Sequence, residues 1–134
     1  KTGEEPRFSP KLPKCAFSKR VCDELISYFH AADFRFDIPI KLLGTNYQKK
    51  VWRSFLTIPV GETLTYSELA RKHNTHPRAI GGACRSNPVP IVVPCHRIIA
   101  IHGLGGFSGE SSGKLIEVKK WLLNHEAKLK GHLL

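Results

Sequence analysis

The chain has 134 residues, 41% of them hydrophobic and 24% charged, which is the composition of an ordinary globular protein with room for one domain, or one domain plus a fragment. It shows no apolar run of membrane-spanning length and no signal-peptide pattern, so the expectation is a cytoplasmic protein, or a nuclear one in a eukaryote. Its 21 Lys and Arg against 11 Asp and Glu give a net charge of +10, which points to a polyanionic partner, nucleic acid first and an anionic membrane second. Four cysteines are too sparse for a disulfide scaffold. Cys15, Cys22 and His30 lack tight metal-ligand spacing, and no metal is expected.

Residues 1–17 carry three prolines, several lysines and no periodicity, and read as a tail or linker. Residues 18–30 read as a helix, with Val21, Leu25, Tyr28 and Phe29 in one apolar stripe and Cys22 and Ile26 beside it. Residues 34–40 alternate with period two, so Phe34, Phe36 and Ile38 face one way, as in one strand of a small sheet. A strand cannot stand alone. It docks on helices, or its partner strands lie outside this chain.

From Thr45 the signals sharpen. Thr45 can cap a helix in which Tyr47, Val51 and Phe55 recur at i+4, with Trp52 and Leu56 next to them. Pro59 and Gly61 end it. Thr65 and Glu68 fit a capping box that opens a second helix, Tyr66 to about His73. Residues 74–77 read as a turn, with Pro77 in the first turn of a third helix, where its missing N–H costs nothing. Two short helices joined by a tight turn suggest a helix-turn-helix. The second offers Arg78 and Arg85 and otherwise small residues. Gly81 and Gly82 cost it about 1 kcal/mol each relative to alanine. Two reasons to tolerate that stand side by side: close approach to a DNA minor groove, with Arg78 as a wedge, or close helix–helix packing in a core.

The centre of the chain is the run from Asn87 to Arg97. Ile91, Val92 and Val93 read as a short buried strand, punctuated by Pro88, Pro90 and Pro94. Cys95 follows, with His96 as candidate base and Arg97 as a positive charge that favours a thiolate. Side chains at adjacent positions diverge, so a bridging water is the expected relay between Cys95 and His96. The alternative is a core thiol. The glycine-rich loop 103–109 lacks a Walker lysine and is not a phosphate loop; its glycines let backbone line a pocket. A last helix, about residues 114–129, has Leu115, Val118, Trp121, Leu122 and His125 as its expected inward stripe, with Glu126 next to it.

Tyr66, the run from Arg78 to Ala83, Arg85 to Pro90, Pro94-Cys95-His96-Arg97, the Gly-Gly-Phe107-Ser108-Gly loop and the Trp121–Glu126 segment together resemble the O6-alkylguanine-DNA alkyltransferases. The resemblance runs in order over roughly residues 45–130. It implies an α/β protein: a mainly helical alkyltransferase domain with a winged-helix-like helix-turn-helix at 44–134, preceded at 1–43 by a tail and a short remnant of a ribonuclease-H-like domain. It implies transfer of a methyl or other alkyl group from O6 of guanine, or O4 of thymine, to Cys95, once and irreversibly, with no cofactor. His96 would deprotonate Cys95 through water and Glu126 would orient His96. Asn87 would brace the turn, and Tyr66 would bond the guanine and help rotate the nucleotide. Arg78, Tyr66, Ala79, Gly82 and Arg85 would meet DNA. Pro90, Ile98, Phe107 and Ser108 would line the substrate pocket. The partner would be double-stranded DNA carrying O6-alkylguanine, met by a monomer with no membrane role.

Phe107 stands where many relatives carry tyrosine, and the connection 110–114 looks longer than in several of them. Three other readings compete. A binding-only alkyltransferase-like protein would have lost the acceptor cysteine, which is intact here. A helix-turn-helix regulator would need a base-reading surface that this third helix lacks. A cysteine hydrolase would need an oxyanion hole, which is not legible.

Overall fold

The computed structural model describes residues 15–107 and 113–130; Ser108, placed in the substrate pocket above, lies outside them. The chain divides into two compact units at Ile38/Pro39. The first contains helix α1, Ala16–His30, capped by the Cys15 thiol on the Ser18 amide. Tyr28 is buried and packs its ring 5.6 Å from those of Phe29 and Phe36. Arg20 bridges Glu24 and Asp37 at 3.3 and 3.2 Å. The strand expected at 34–40 is not formed. Phe34, Phe36 and Ile38 are less exposed than their neighbours, as the alternation requires. Yet the backbone finds no ladder there; the Asp37 amide is taken by the Glu24 carboxylate at 2.8 Å.

The second unit is helical. Its elements are α2, Asn46–Phe55; β1, Leu64–Thr65; α3, Tyr66–Lys72; α4, Pro77–Arg85; a 3-10 turn, Cys95–Arg97; β2, Ile98–Ile99; α5, Lys114–Ala127; and a closing 3-10 turn, Lys128–Lys130. Both capping boxes are present: Thr45 with Gln48 opens α2, and Thr65 with Glu68 opens α3. Each satisfies two backbone donors that the first helical turn leaves orphaned. Asn74, at φ +54, turns the chain out of α3, a conformation asparagine tolerates, and His76 caps α4 ahead of Pro77.

Val51, Trp52 and Phe55 of α2 are buried in the core, as are Leu69, Ile80 and Leu122, all at most 1% exposed. Trp52 Nε1 donates to the Ala83 carbonyl at 2.8 Å and ties α2 to α4. The strands pair in parallel, Leu64 with Ile98 and Thr65 with Ile99. This two-residue ladder fastens the start of α3 beside the segment that leaves the cysteine turn.

Two expectations fail in instructive ways. Residues 91–93 are no strand. Ile91 has φ +77, strained for a β-branched residue, and the Val93 amide turns back to Val89 at 2.9 Å. The prolines break the ladder, and the apolar run is buried as a turn instead. The inward face of α5 is Lys119, Leu122, Leu123, Glu126 and Ala127, not the stripe through Val118 and Trp121, which are 42% and 50% exposed. The buried set keeps helical spacing but is rotated by about one position, because a lysine and a glutamate occupy it.

Candidate active site

Asn87 builds the seat of the thiol. Its Nδ2 donates to the Val93 carbonyl at 2.8 Å and its Oδ1 accepts the Val89 amide at 2.9 Å. Cys95 N–H then bonds Val93 O at 2.8 Å, and Pro88, Pro90 and Pro94 carry no N–H that would need an acceptor. The turn is thus satisfied internally, and Cys95 is held at 4% exposure. Burial pushes its thiol above the ordinary value, while a hydrogen bond from the Asn87 side chain and the charge of Lys119 pull it back.

His96 is fully buried and lies with Nε2 2.7 Å from Glu126 Oε2. Arg97 grips the same carboxylate twice, Nε to Oε1 at 2.8 Å and Nη2 to Oε2 at 3.0 Å, and sends Nη1 to the Ile58 carbonyl at 2.6 Å. Burial raises the Glu126 carboxyl, but hydrogen bonds from His96 and Arg97 outweigh it and hold the group well below the usual carboxylate range. An ionised carboxylate only accepts, so His96 Nε2 carries the proton. His96 Nδ1, buried and without a hydrogen-bond partner among the described residues, keeps the lone pair. Burial lowers the imidazole below its ordinary value despite Glu126. The positive charge expected from Arg97 at the thiol is therefore committed to Glu126.

The cation that acts on Cys95 is one the sequence reading missed. Lys119 is fully buried and donates to the carbonyls of Ile98, Leu104 and Gly106 at 2.6, 2.5 and 2.9 Å. Burial lowers it to about 8, opposed by the Cys84 and Cys95 thiols. Its position three residues before Leu122 and seven before Glu126 was the available signal: an inward Glu126 brings Lys119 with it. Tyr66 lies beneath this ammonium, and burial, with the nearby Cys84, pushes its hydroxyl up to about 12, so it is a phenol at neutral pH. Cys84, also unassigned from sequence, is pushed up to about 12 by burial and by Cys95.

Cys95, His96, Asn87, Glu126 and Tyr66 thus converge, while the other candidates are spread around them. Phe107 and Ile98 are buried at 7% and 0%, with the Ile98 carbonyl on Lys119; Pro90 is exposed. On α4, Arg78 and Arg85 are exposed and Ala79 and Gly82 half-buried. A Cβ built at Gly81 or Gly82 meets nothing within 4 Å, so the glycines are not explained by packing inside the core. No cluster of metal-ligating residues occurs among the described residues.

Residues 46–128 match the family model for the DNA binding domain of 6-O-methylguanine DNA methyltransferase. The methylated-DNA–protein-cysteine methyltransferase of Mycobacterium tuberculosis is 43% identical over 110 residues, which are 78% of this chain and 66% of that protein. The protein of the same name from Methanosarcina mazei is 38% identical over 112 residues, 82% of this chain and 68% of its own length. The crystal structure of the M. tuberculosis protein in complex with DNA superposes with a TM-score of 0.69 at 38% identity, covering 82% of this chain and 67% of that one. This chain therefore spans about two thirds of the length of the relatives it matches.

Proposed function

From the premise that this chain belongs to the 6-O-methylguanine DNA methyltransferase family, we propose that it repairs DNA by moving an alkyl group from O6 of guanine to its own Cys95. The observation that carries the reading is the buried Cys95 beside a His96 whose Nε2 is bound to an ionised Glu126 and whose Nδ1 is left to act as base. His96 takes the thiol proton through one water. The Cys95 sulfur attacks the alkyl carbon, the carbon–O6 bond breaks, and the guanine anion takes up a proton as it leaves. A thioether is a poor leaving group, so the protein acts once.

Tyr66, a phenol with Lys119 beside its ring, is suited to hydrogen-bond the departing guanine. Asn87 holds the turn. Pro90, Ile98, Phe107 and Ser108 are proposed to shape the pocket. Since O6 inside a duplex is beyond the reach of a buried thiol, the nucleotide must leave the stack, at a cost of about a few kcal/mol. The net charge of +10 supplies phosphate affinity to offset it. The helix-turn-helix α3–α4 is proposed as the DNA-facing element, with a winged-helix arrangement around it. The open face of α4, with Ala79 and Gly82, suits a minor groove; Arg78 would fill the emptied stack and Arg85 would meet backbone. The segment from about Cys15 to Leu43 is read as part of a ribonuclease-H-like domain, and the acting species as a monomer, in the compartment that holds the DNA.

Intact mass after incubation with a duplex containing O6-methylguanine tests this. A gain of one methyl mapped to Cys95, and absent in Cys95→Ser, is the expected result. Retained lesion binding without the gain would replace this reading with lesion recognition alone.

A further inference from the structure

Arg97 is a buried guanidinium that the chemistry above does not use. Its three hydrogen bonds all go inward: two to the Glu126 carboxylate and one to the Ile58 carbonyl. A guanidinium forked onto a carboxylate in this way fixes the plane of both groups. Glu126 Oε2 accepts from Arg97 and from His96 together, so the angle at which the carboxylate meets the imidazole is set by Arg97.

The consequence lies at His96. A carboxylate alone beside a buried imidazole favours the imidazolium, and an imidazolium has no lone pair with which to take a proton. The charged groups acting on His96 are Glu126 and Lys119 from α5 and Arg97 beside it in the chain. Of these only Glu126 favours protonation, and Arg97 sits directly on Glu126.

We propose that Arg97 is a positioning residue, which by binding Glu126 at both oxygens and cancelling its charge keeps His96 neutral, with its proton on Nε2 and its lone pair on Nδ1. The proposal rests on the reading of His96 as the base for Cys95 and assigns what sets that base. It replaces a direct action of Arg97 on the thiol, whose nearby cation is Lys119.

The test uses the whole chain labelled with ¹⁵N-histidine, and a titration of the His96 ring nitrogens by NMR. At pH 7 the wild type is expected to show a protonated Nε2 and an unprotonated Nδ1. In Arg97→Gln the ring should be doubly protonated to higher pH, with its midpoint raised by about one to two pH units. Arg97→Lys, which keeps the charge but not the fork, should fall between. The pH profile of single-turnover methyl transfer to Cys95 should move upward with the NMR midpoint in each variant.

An imidazolium, or a proton on Nδ1, in the wild type at pH 7 overturns the proposal without recourse to any variant. So does an Arg97→Gln profile slowed equally at every pH, which is the mark of a merely structural role. The ring titration needs no lesion. If the ring midpoint rises in Arg97→Gln and yet the wild type gains no methyl, the transfer reading fails while the positioning by Arg97 stands.

Discussion

Lys119 Nζ stands 5.9 Å from the centroid of the Tyr66 ring, and the carbonyls of Leu104 and Gly106 close over it from the glycine loop. One ammonium thereby joins α5, β2, the loop and the first residue of α3. Three carbonyl oxygens depend on it in a place where water does not reach the side chain.

Lys119→Met keeps the aliphatic stem and removes the donors. Three inward carbonyls then lose their partner, and unfolding free energy should fall by about 2–4 kcal/mol. Urea unfolding monitored by tryptophan fluorescence reads this directly. An unchanged midpoint would mean that water replaces the ammonium without cost.

Helices α2, α3 and α4 were legible because each carries its own start signal. Thr45–Gln48 and Thr65–Glu68 are local patterns, and local hydrogen bonds made both caps. The cysteine, its histidine and the carboxylate were legible as a motif. Three things were not. The turn at 91–93 reads as strand from its β-branched residues, and only the proline spacing, with no ladder available, says otherwise. The face of α5 misleads because a lysine and a glutamate sit where burial normally selects apolar side chains; their partners, Ile98 O, Arg97 and His96, come from elsewhere in the chain. The destination of Arg97 was hidden for the same reason, since Glu126 lies 29 positions away.

Two glycines should respond in opposite directions. Gly105 has φ +75, and a Cβ there would stand 2.7 Å from Tyr66 Cε2. Gly105→Ala must strain the backbone and displace the Tyr66 ring, costing about 1–3 kcal/mol and slowing transfer. Gly82→Ala meets open space in mid-helix and should stabilise the fold by up to about 1 kcal/mol. If that face lies in a minor groove, the added methyl should weaken lesion-duplex binding while stability rises. Thermal unfolding paired with a binding titration separates the two. Unchanged DNA affinity in Gly82→Ala would remove α4 from the proposed interface.

Acid should loosen this protein in two stages. Burial holds the His96 imidazole below its ordinary value, and hydrogen bonds from His96 and Arg97 hold Glu126 well below the carboxylate range against the effect of burial. In both cases the unfolded chain binds protons first as pH falls. Their contributions are therefore complete above the unfolded values and are lost below them, toward the folded values. His96 begins to withdraw its share below about pH 6.5, and Glu126 below about pH 4.3. His73, lowered by burial and by Lys50 and Lys72, adds to the first stage. Urea midpoints measured from pH 8 to pH 3 should fall gently through the first window and steeply in the second. In His96→Gln the first decline should shrink to the part owed to His73. An equal decline in that variant would mean that the His96 imidazole titrates alike in the folded and unfolded chain, and a steeper one that it is already charged in the folded protein; either way Arg97 does not hold it neutral.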